Sequence, residues 1–281
     1  MKLSFRNFSI DLSRRTCIMG ILNVTPDSFS DGGLYFEKSL AIERAKQMVE
    51  DGADIIDIGG ESTRPGAEPV SLDEELNRTI PVIEALAKEI KVPISIDTYK
   101  SVVAEKALNA GASIVNDISG LRFDPEMAKI VAKYKVPVVI MHIKGTPRNM
   151  QKEPFYENLI AEIKQYIEDS INIALNTGID KDKIIIDPGI GFGKTFEHNL
   201  EIIHRLSEFS TFGKPVLIGL SRKAFIGKIL NNASPLERVE GTAAAVAISI
   251  MNGANIIRVH DVKQMTMVAK VADAIKKMKI E

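Results

Sequence analysis

Gly52-Ala-Asp-Ile-Ile-Asp57 is one copy of a short pattern that recurs along the 281-residue chain. Its other copies are Gly111-Ala-Ser-Ile-Val-Asn116 and Gly253-Ala-Asn-Ile-Ile-Arg258. Each copy follows a stretch with helical spacing, and glycine suits the left-handed backbone with which helices commonly end. The apolar residues after the glycine predict a short strand that ends in a polar residue. The pattern therefore predicts a repeated unit in which a helix is followed by a buried strand.

A second pattern places proline at the start of a strand, a position that proline tolerates. It occurs as Pro93-Ile-Ser-Ile-Asp97, Pro137-Val-Val-Ile-Met141 and Pro215-Val-Leu-Ile-Gly219. Together with the other runs rich in Ile and Val, these patterns predict eight strands, at 17–22, 54–58, 93–97, 113–116, 137–141, 183–187, 215–219 and 255–259. Their apolar residues are consecutive instead of alternating, which is typical of parallel strands buried on both faces.

Helical spacing of apolar residues fills the intervals between these strands. Helices are predicted at 38–50, 73–90, 99–109, 124–134, 157–176, 197–209, 236–251 and 262–279. Eight strand–helix units predict an α/β fold, a (β/α)8 TIM barrel that forms a single domain over residues 1–281 with its first strand at 15–22. A doubly wound sheet is the alternative, but such a sheet usually has fewer strands and leaves unpaired edges.

The composition excludes several classes of protein. With 45% hydrophobic and 26% charged residues, the chain is too apolar to be disordered. Its 36 Lys and Arg residues balance 37 Asp and Glu residues, which argues against a large basic surface for nucleic acid. The single cysteine, Cys17, excludes an internal disulfide, and no apolar run has the length of a membrane span. We therefore expect a soluble, cytoplasmic protein whose partners are neither nucleic acid nor membrane.

Each predicted strand delivers polar or ionisable side chains to the end at which barrels build their active sites. Three of these residues are Asp97, Asn116 and Asp187. Their carboxylates and amide are suited to the paired donors and acceptors at the edge of a flat heterocycle. The sequence therefore indicates a pocket for a heterocyclic ligand.

Cations lie at the ends of other strands, and arginine binds phosphate groups through two parallel hydrogen bonds. They are Arg64, Arg222, Lys223, Arg258 and His260. Asn23 offers an oxygen ligand for Mg²⁺, which keeps several waters and binds beside substrate phosphates. No Ser-His-Asp set is present and Cys17 lies within a strand, so we expect electrostatic stabilisation of a leaving group instead of covalent catalysis.

Two long polar segments follow the first two strands, and both contain few helix-forming residues. We interpret residues 23–36 and 59–70 as mobile active-site loops that close over the mouth of the barrel. Ordinary surface loops are the alternative interpretation, which composition alone favours.

The chain resembles the dihydropteroate synthase family over nearly its whole length. The resemblance rests on strings that occur in order at the strand ends, beginning with Asn23-Val-Thr-Pro-Asp-Ser-Phe-Ser-Asp-Gly-Gly33 and ending with Arg258-Val-His260. Between them come Gly59-Gly-Glu-Ser-Thr-Arg-Pro-Gly66, Asp97-Thr-Tyr-Lys100, Asn116-Asp-Ile-Ser-Gly120, Met141-His-Ile-Lys-Gly-Thr-Pro147, Asp187-Pro-Gly-Ile-Gly-Phe-Gly-Lys194 and Ser221-Arg-Lys223. Ile143 is a small departure, since many relatives have Met there.

The resemblance implies a transferase of folate biosynthesis. Such enzymes condense 6-hydroxymethyl-7,8-dihydropterin pyrophosphate with 4-aminobenzoate and form 7,8-dihydropteroate and pyrophosphate. The resemblance also implies Mg²⁺ as cofactor and a homodimer. The alternatives are a pterin-dependent (methyltetrahydrofolate) methyltransferase on the same barrel and a non-catalytic pterin-binding barrel. Ser221-Arg-Lys223 and Arg258-Val-His260 favour the synthase.

The resemblance further implies a role for individual residues. Residues that would hold the pterin are Asp97, Asn116, Met141, Asp187, Gly219 and Lys223. Residues that would face the pyrophosphate are Asn23, Thr63, Arg64, Arg258 and His260, with Asn23 as the metal ligand. Residues that would shape the 4-aminobenzoate site are Phe29, Pro65, Phe192, Ser221 and Arg222. The implied catalytic residues are Asp31, Lys223, Arg258 and His260, with Asp31 stabilising a developing pterin cation.

Overall fold

Strands of two kinds occur in residues 1–25, 34–64 and 66–278, the part of the chain that the computed structural model describes. Two strands form an antiparallel hairpin, β1 (Lys2–Phe5) and β2 (Phe8–Asp11). The others form a parallel sheet, β3 (Cys17–Asn23), β4 (Ile55–Gly59), β5 (Ile94–Asp97), β6 (Ile114–Asp117), β7 (Val138–Met141), β8 (Ile184–Asp187), β9 (Leu217–Gly219) and β10 (Ile256–Val259).

Helices surround this sheet, and at least one follows each of its strands. They are α1 (Leu34–Glu50), α2 (Leu72–Glu89), α3 (Ser101–Ala110), α4 (Met127–Tyr134), α5 (Leu159–Asn176), α6 (Phe196–His204), α7 (Ala224–Ile229), α8 (Val239–Met251) and α9 (Val262–Lys276). Within the described residues, none of them combines the length and the hydropathy that crossing a membrane requires.

The eight parallel strands close into a barrel. Their order is β8-β7-β6-β5-β4-β3-β10-β9, and a parallel bridge between Ile186 and Val216 joins the two ends of this order. The N–H of Ile186 donates to the carbonyl of Pro215 at 2.9 Å across the same seam. The (β/α)8 TIM barrel predicted from the sequence is confirmed, and the doubly wound sheet is excluded.

The glycines that begin the first repeated pattern have the predicted left-handed backbone. The φ angles of Gly52, Gly111 and Gly253 are 104°, 125° and 110°. At Gly111 the absence of a side chain is also required by packing, because a Cβ there would lie 2.4 Å from the Cβ of Ala87 on α2. A helix thus ends at each glycine, and the chain turns directly into the next strand.

The inside of the barrel changes from apolar to polar along its axis. At the amino-terminal ends of the strands, Ile55 and Ile256 pack with Leu3 of the hairpin in one buried cluster. Two residues further along the same strands lie Asp57 and Arg258. The hairpin therefore closes the apolar end of the barrel, and the opposite end carries the polar side chains. The sequence analysis does not predict the hairpin, because its two strands are only four residues long.

Several elements differ from the predicted ones, and three of the differences have a clear cause. The first barrel strand begins at Cys17, as the strand predicted at 17–22 does, and the bound of 15 in the domain prediction is wrong. The N–H of Thr16 donates to the carboxylate of Asp273 at 2.7 Å instead of to a neighbouring strand. Helix α1 begins at Leu34 and not at residue 38, so residues 34–36 are helical and do not belong to the loop predicted at 23–36. Residues 34–37 contain no Gly or Pro that would stop a helix. Two helices follow β9 where one was predicted, because α7 is only six residues long and too short to show a period.

Gly111→Ala is expected to lower the free energy of unfolding by about 3 kcal/mol or more, because it adds a steric clash to an unfavourable φ. Gly178→Ala is the matched control, since its φ is 94° but an added Cβ would meet no described atom within 4 Å. In this control the free energy of unfolding should fall only by the cost of the unfavourable φ, about 1–2 kcal/mol. Urea unfolding measures both losses, and equal losses would contradict the importance of the contact with Ala87.

Candidate active site

Arg258 is the centre of a network of charged hydrogen bonds at the polar end of the barrel. Its Nε donates to Oδ2 of Asp57 at 2.6 Å, and its Nη2 donates to Oδ2 of Asp97 at 2.5 Å. Nδ2 of Asn116 donates to the same oxygen of Asp57 at 2.9 Å. The four side chains come from β10, β4, β5 and β6, so the network joins four strands across the mouth of the barrel.

Asp57 is a member of this network that the sequence analysis did not assign to the site. A signal was available, since Asp57 ends a copy of the repeated pattern just as Asn116 and Arg258 do. The side chain is fully buried, and its Oδ1 has no hydrogen-bond partner among the described residues. Oγ of Ser95, the residue that faces Asp57 on β5, is buried and unpartnered in the same way. Two such oxygens on adjacent strands offer hydrogen bonds to a ligand or an ordered water.

The charges of the network favour a ligand that donates hydrogen bonds. Burial raises the pKa of Asp97 above its usual range, although Arg258 opposes the shift. Burial would lower the pKa of Arg258, but Asp57 and Asp97 outweigh it and raise that pKa. The guanidinium therefore stays charged beside two carboxyl groups. The carboxyl oxygens that Arg258 leaves free can accept hydrogen bonds from N–H groups of a ligand.

Asp187 and Lys223 form a second pair of opposite charges at the mouth. Burial raises the pKa of Asp187 to about 6 and lowers the pKa of Lys223 to about 8. Oδ1 of Asp187 accepts a hydrogen bond from the N–H of Gly189 at 2.7 Å, and Nζ of Lys223 donates to the carbonyl of Ile190 at 2.9 Å. The ammonium also lies 4.4 Å from the ring centroid of Phe192. Both side chains thus depend on the loop after β8.

Lys194 holds the loop after β8 in place. Its Nζ is buried and donates to the carbonyls of Gly189 and Phe192 at 3.0 and 2.8 Å. It also lies 2.9 Å from Nδ1 of His142, and burial lowers the pKa values of both side chains. A Cβ on Gly189 would lie 1.9 Å from the carbonyl oxygen of His142. Residue 189 must therefore be glycine for the loop to lie this close to the residue after β7. The sequence does not reveal this role of Lys194, because the role includes the contact with His142, which lies 52 residues earlier in the chain.

Ser221 and His260 are brought together by the segments after β9 and β10. Oγ of Ser221 accepts a hydrogen bond from the N–H of His260 at 3.2 Å and lies 3.0 Å from its Nδ1. Burial and the positive charge of Arg258 lower the pKa of His260 to about 3, so its imidazole is neutral near pH 7. Arg222 lies beside this pair, but its guanidinium forms two hydrogen bonds to Asp261, at 3.0 and 2.5 Å.

The other predicted site residues lie around these groups. Met141 packs in a small apolar cluster that includes Phe192. Gly219 faces Arg258 on β10 and leaves room beside it, and Asn23 is half-buried at the end of β3. Thr63 is half-buried and Arg64 is exposed after β4. Three predicted residues lie outside the described part of the chain, namely Phe29, Asp31 and Pro65.

The barrel and the side chains at its mouth define a class of protein, which comparison with known proteins identifies. Residues 19–260 match the family model described as pterin binding enzyme. The chain is 53% identical to a dihydropteroate synthase of Synechocystis sp. over 94% of its own length and 92% of that protein's length.

Solved structures of the same class have the same fold. The chain matches a Yersinia pestis dihydropteroate synthase in a sulfonamide drug complex with a TM-score of 0.94, at 45% identity, over 99% of this chain and 100% of the other. It also matches a Xanthomonas albilineans dihydropteroate synthase in complex with 7,8-dihydropteroate with a TM-score of 0.89, at 38% identity, over 99% and 100% of the two chains. The chain belongs to the dihydropteroate synthase family of pterin-binding enzymes.

Asp187→Asn is expected to make the fold more stable, and more so at high pH. Because the pKa of the buried carboxyl is raised to about 6, folding is penalised as the pH rises from about 4 through 6. The gain over the parent should therefore be about 1–2 kcal/mol larger at pH 8 than at pH 5.

Denaturant unfolding at the two pH values measures this gain. Asp182→Asn, at an exposed position, is the control and should show the same stability as the parent at both values. A gain for Asp187→Asn that does not change with pH would contradict the raised pKa.

Proposed function

We propose that the protein condenses 6-hydroxymethyl-7,8-dihydropterin pyrophosphate with 4-aminobenzoate, releasing pyrophosphate and forming 7,8-dihydropteroate. The observation that carries this proposal is the network of Arg258 with Asp57, Asp97 and Asn116 at the mouth of the barrel. It supplies acceptors for a flat heterocycle and a cation beside them. The family and the product complex of the Xanthomonas albilineans relative support the same reaction. The methyltransferase and the non-catalytic barrel are the less favoured alternatives.

The pterin occupies the deepest part of the site in this proposal. Carboxylates such as Asp97 and Asp187 accept paired N–H groups from an aminopyrimidinone edge, and a ligand without those groups would leave the carboxylates unpaired. Asn116 and Lys223 complete the polar contacts. Met141 packs against the ring, and Gly219 gives the ring space beside Arg258.

The pyrophosphate lies nearer the solvent, where Asn23, Thr63, Arg64, Arg258 and His260 face it in this proposal. The neutral imidazole of His260 serves as a hydrogen-bond donor or acceptor instead of a second cation. Arg258 lies between the pterin acceptors and this region, so it contacts both parts of the substrate.

Mg²⁺ is part of the proposal, with the amide oxygen of Asn23 as its ligand from the chain. Among the described residues, no group of three or more His, Cys, Asp or Glu side chains is arranged to hold a metal. A single amide oxygen fits an ion that keeps most of its waters and takes further oxygens from pyrophosphate. When bound, the ion supplies charge stabilisation to the leaving pyrophosphate.

The 4-aminobenzoate binds at the outer rim in this proposal, beside Phe192 and Ser221. Phe29 and Pro65, to which the resemblance gives the same role, lie outside the described residues. Arg222 shapes this pocket from behind, because Asp261 already binds its guanidinium. The incoming aryl amine is neutral near pH 7, so it needs no strong base.

The reaction is proposed to be a substitution at the exocyclic methylene with strong bond-breaking character. As the carbon–oxygen bond lengthens, Arg258 stabilises the negative charge on the departing pyrophosphate. The carboxylates, including Asp31 from the first loop, stabilise the positive charge that spreads over the ring. Lys223 fixes the orientation of the ring and keeps the methylene open to the amine.

Purified protein with Mg²⁺, the pterin pyrophosphate and radiolabelled 4-aminobenzoate is expected to form labelled dihydropteroate only when both substrates are present. Asp97→Ala and Lys223→Ala should abolish product formation. Arg258→Ala should lower kcat/KM about 10²- to 10³-fold, the usual effect of removing one electrostatic donor. Near-normal turnover by Arg258→Ala would contradict its role, and pterin binding without product would favour one of the alternatives.

A homodimer is also proposed, through an exposed apolar stripe on α8 and α9. Met267, Val271 and Ile275 lie at helical spacing along α9 and are each more than half exposed. Ile248 and Met251 extend the stripe onto α8, which packs beside α9. A continuous apolar surface of this kind is typical of an interface, and a two-fold axis would pair the stripe with itself.

Val271→Glu is expected to convert the dimer to a monomer, because it would place a charge in the buried interface. Light scattering coupled to size exclusion gives the mass of the parent and of the variant. Val102→Glu, on the exposed face of α3, is the control and should leave the mass unchanged. A monomeric parent at micromolar concentration would overturn this part of the proposal. The cytoplasmic location expected from the sequence stays a prediction.

A further inference from the structure

Lys100 uses all three of its donors on one side of the barrel mouth. Nζ donates to Oε2 of Glu61 at 2.5 Å, to Oε2 of Glu75 at 2.5 Å and to the carbonyl of Val70 at 2.8 Å. Glu75, on α2, is almost fully buried, and the side chain of Glu61 is 8% exposed. Burial alone would lower the pKa of Lys100, but the two carboxylates raise it, so the ammonium stays charged. The cluster is therefore a largely buried ion triad in which every donor of the ammonium has an acceptor.

Two of these bonds join the ends of the segment from Glu61 to Val70, which lies between β4 and α2. Val70 is held through both of its backbone groups, since its N–H donates to Oε2 of Glu61 at 3.3 Å and its carbonyl accepts from Lys100. Glu61 is fixed in turn by the hydroxyl of Tyr99, which donates to its Oε1 at 2.7 Å. Residues nine apart in sequence are thus tied to one another and to the segment after β5.

This segment carries two of the residues that the proposed function assigns to pyrophosphate, Thr63 and Arg64. Neither side chain can be placed by a strand or helix of its own, because both lie in irregular backbone. Two backbone hydrogen bonds hold the middle of the segment, from the N–H of Ala67 to the carbonyl of Arg64 at 3.0 Å and from the N–H of Gly66 to the carbonyl of Pro147 at 3.2 Å. The side that leads from β4 to Thr63 and Arg64 is held at Glu61, so their position depends on how firmly that end is fixed.

The residues that hold the segment are continuous with the pterin pocket. Asp97, which binds Arg258, is separated from Lys100 by only Thr98 and Tyr99. The turn between them is ordered, since Oγ1 of Thr98 accepts from the N–H of Lys100 at 3.1 Å and the N–H of Thr98 donates to the carbonyl of Asn116 at 3.1 Å. One short turn thus has Asp97, a proposed acceptor for the pterin, at one end and Lys100, which holds the segment from Glu61 to Val70, at the other.

We propose that Lys100 is a positioning residue for the pyrophosphate part of the substrate: by binding Glu61, Glu75 and Val70 together, it fixes the segment that presents Thr63 and Arg64. This inference rests on the proposed function. Lys100 does not touch the substrate, and it acts only through the segment. Its loss should therefore weaken binding of the pyrophosphate and leave the deep pterin pocket intact.

The test compares binding of two ligands that differ only in the pyrophosphate. Lys100→Met is expected to raise the Kd for 6-hydroxymethyl-7,8-dihydropterin pyrophosphate about tenfold, within the range for residues coupled in one network. The Kd for 6-hydroxymethyl-7,8-dihydropterin, which lacks the pyrophosphate, should change less than about twofold. Calorimetric titration with Mg²⁺ present measures both. Lys106→Met, at an exposed position on α3, is the control and should bind both ligands as the parent does.

Lys100→Met leaves two buried carboxylates without their cation, so a second variant guards against a loss that comes from misfolding. Lys100→Met combined with Glu75→Gln keeps the net charge of the parent but lacks the bonds to Glu61 and Val70. It should show the same selective loss, and it should show faster amide exchange at Val70 than the parent. Lys100→Arg should recover most of the affinity, since arginine can donate to the same oxygens.

The possible outcomes distinguish the role of Lys100 from the proposed function. Equal losses for the two ligands, or no loss for either in the charge-balanced variant, would overturn the role of Lys100 while the proposed function stands. A parent protein that binds neither ligand would overturn the proposed function and this inference with it.

Discussion

The buried guanidinium of Arg258 is the group on which the polar half of the barrel depends. The side chain of Asp57 is fully buried and that of Asp97 is 12% exposed, and the two carboxyl groups share one small space between strands. Carboxylates in such surroundings are tolerated only with a cation and hydrogen bonds, and removing one partner of a buried pair commonly costs about 3–5 kcal/mol. Arg258 meets this requirement for both at once. A substitution there would therefore disturb the arrangement of four strands as well as the contact with a ligand.

The apolar half of the barrel allows this network to exist. Leu3 and Phe5 of the hairpin close the amino-terminal end of the barrel, so the charged network is shielded from water on that side. Electrostatic interactions are stronger where water is excluded, which raises the effect of each charge on a ligand. The same exclusion shifts the pKa values of Asp187 and Lys223 towards neutrality. Burial of these charged groups thus costs the fold some stability, and it makes their interactions with a ligand stronger and more directional.

The sequence predicts the parts of the molecule that follow from local rules. Left-handed glycines such as Gly111, and apolar runs of four or five residues, define the strand–helix unit without knowledge of the tertiary structure. Residues at strand ends can be predicted to meet, because parallel strands in a barrel end on the same side. Asn116 and Arg258 are predicted in this way. Asp57 ends a copy of the same repeated pattern, so the pattern also marks it as a candidate.

Other features depend on contacts between segments that are distant in sequence. The hairpin becomes recognisable as a closure of the barrel only when Leu3 lies against Ile55 and Ile256. Lys100 and Lys194 look like ordinary charged residues in the sequence, because Lys100 binds residues 25 to 39 positions away and Lys194 contacts His142, 52 residues earlier. Arg222 is a cation at the right place for an anionic ligand, yet Asp261, 39 residues further along, binds its side chain. A charge pattern alone does not tell a group that binds substrate from one that supports such a group.

The supporting residues at the mouth share one physical feature, which is a long basic side chain that donates to main-chain carbonyls of a loop. Lys100 binds the carbonyl of Val70, Lys194 binds the carbonyls of Gly189 and Phe192, and Nη1 of Arg238 binds the carbonyl of Arg222 at 2.8 Å. Backbone groups in these loops have no ladder or helix to satisfy them, and buried carbonyls without partners are costly. A long cationic side chain can satisfy several such carbonyls from one point. It also fixes their relative positions, as at Arg222, whose φ of 59° is unfavourable for a residue other than glycine. The loops at the mouth are thus held in place by basic side chains that bind their carbonyls, and none of these side chains is among the groups proposed to bind substrate.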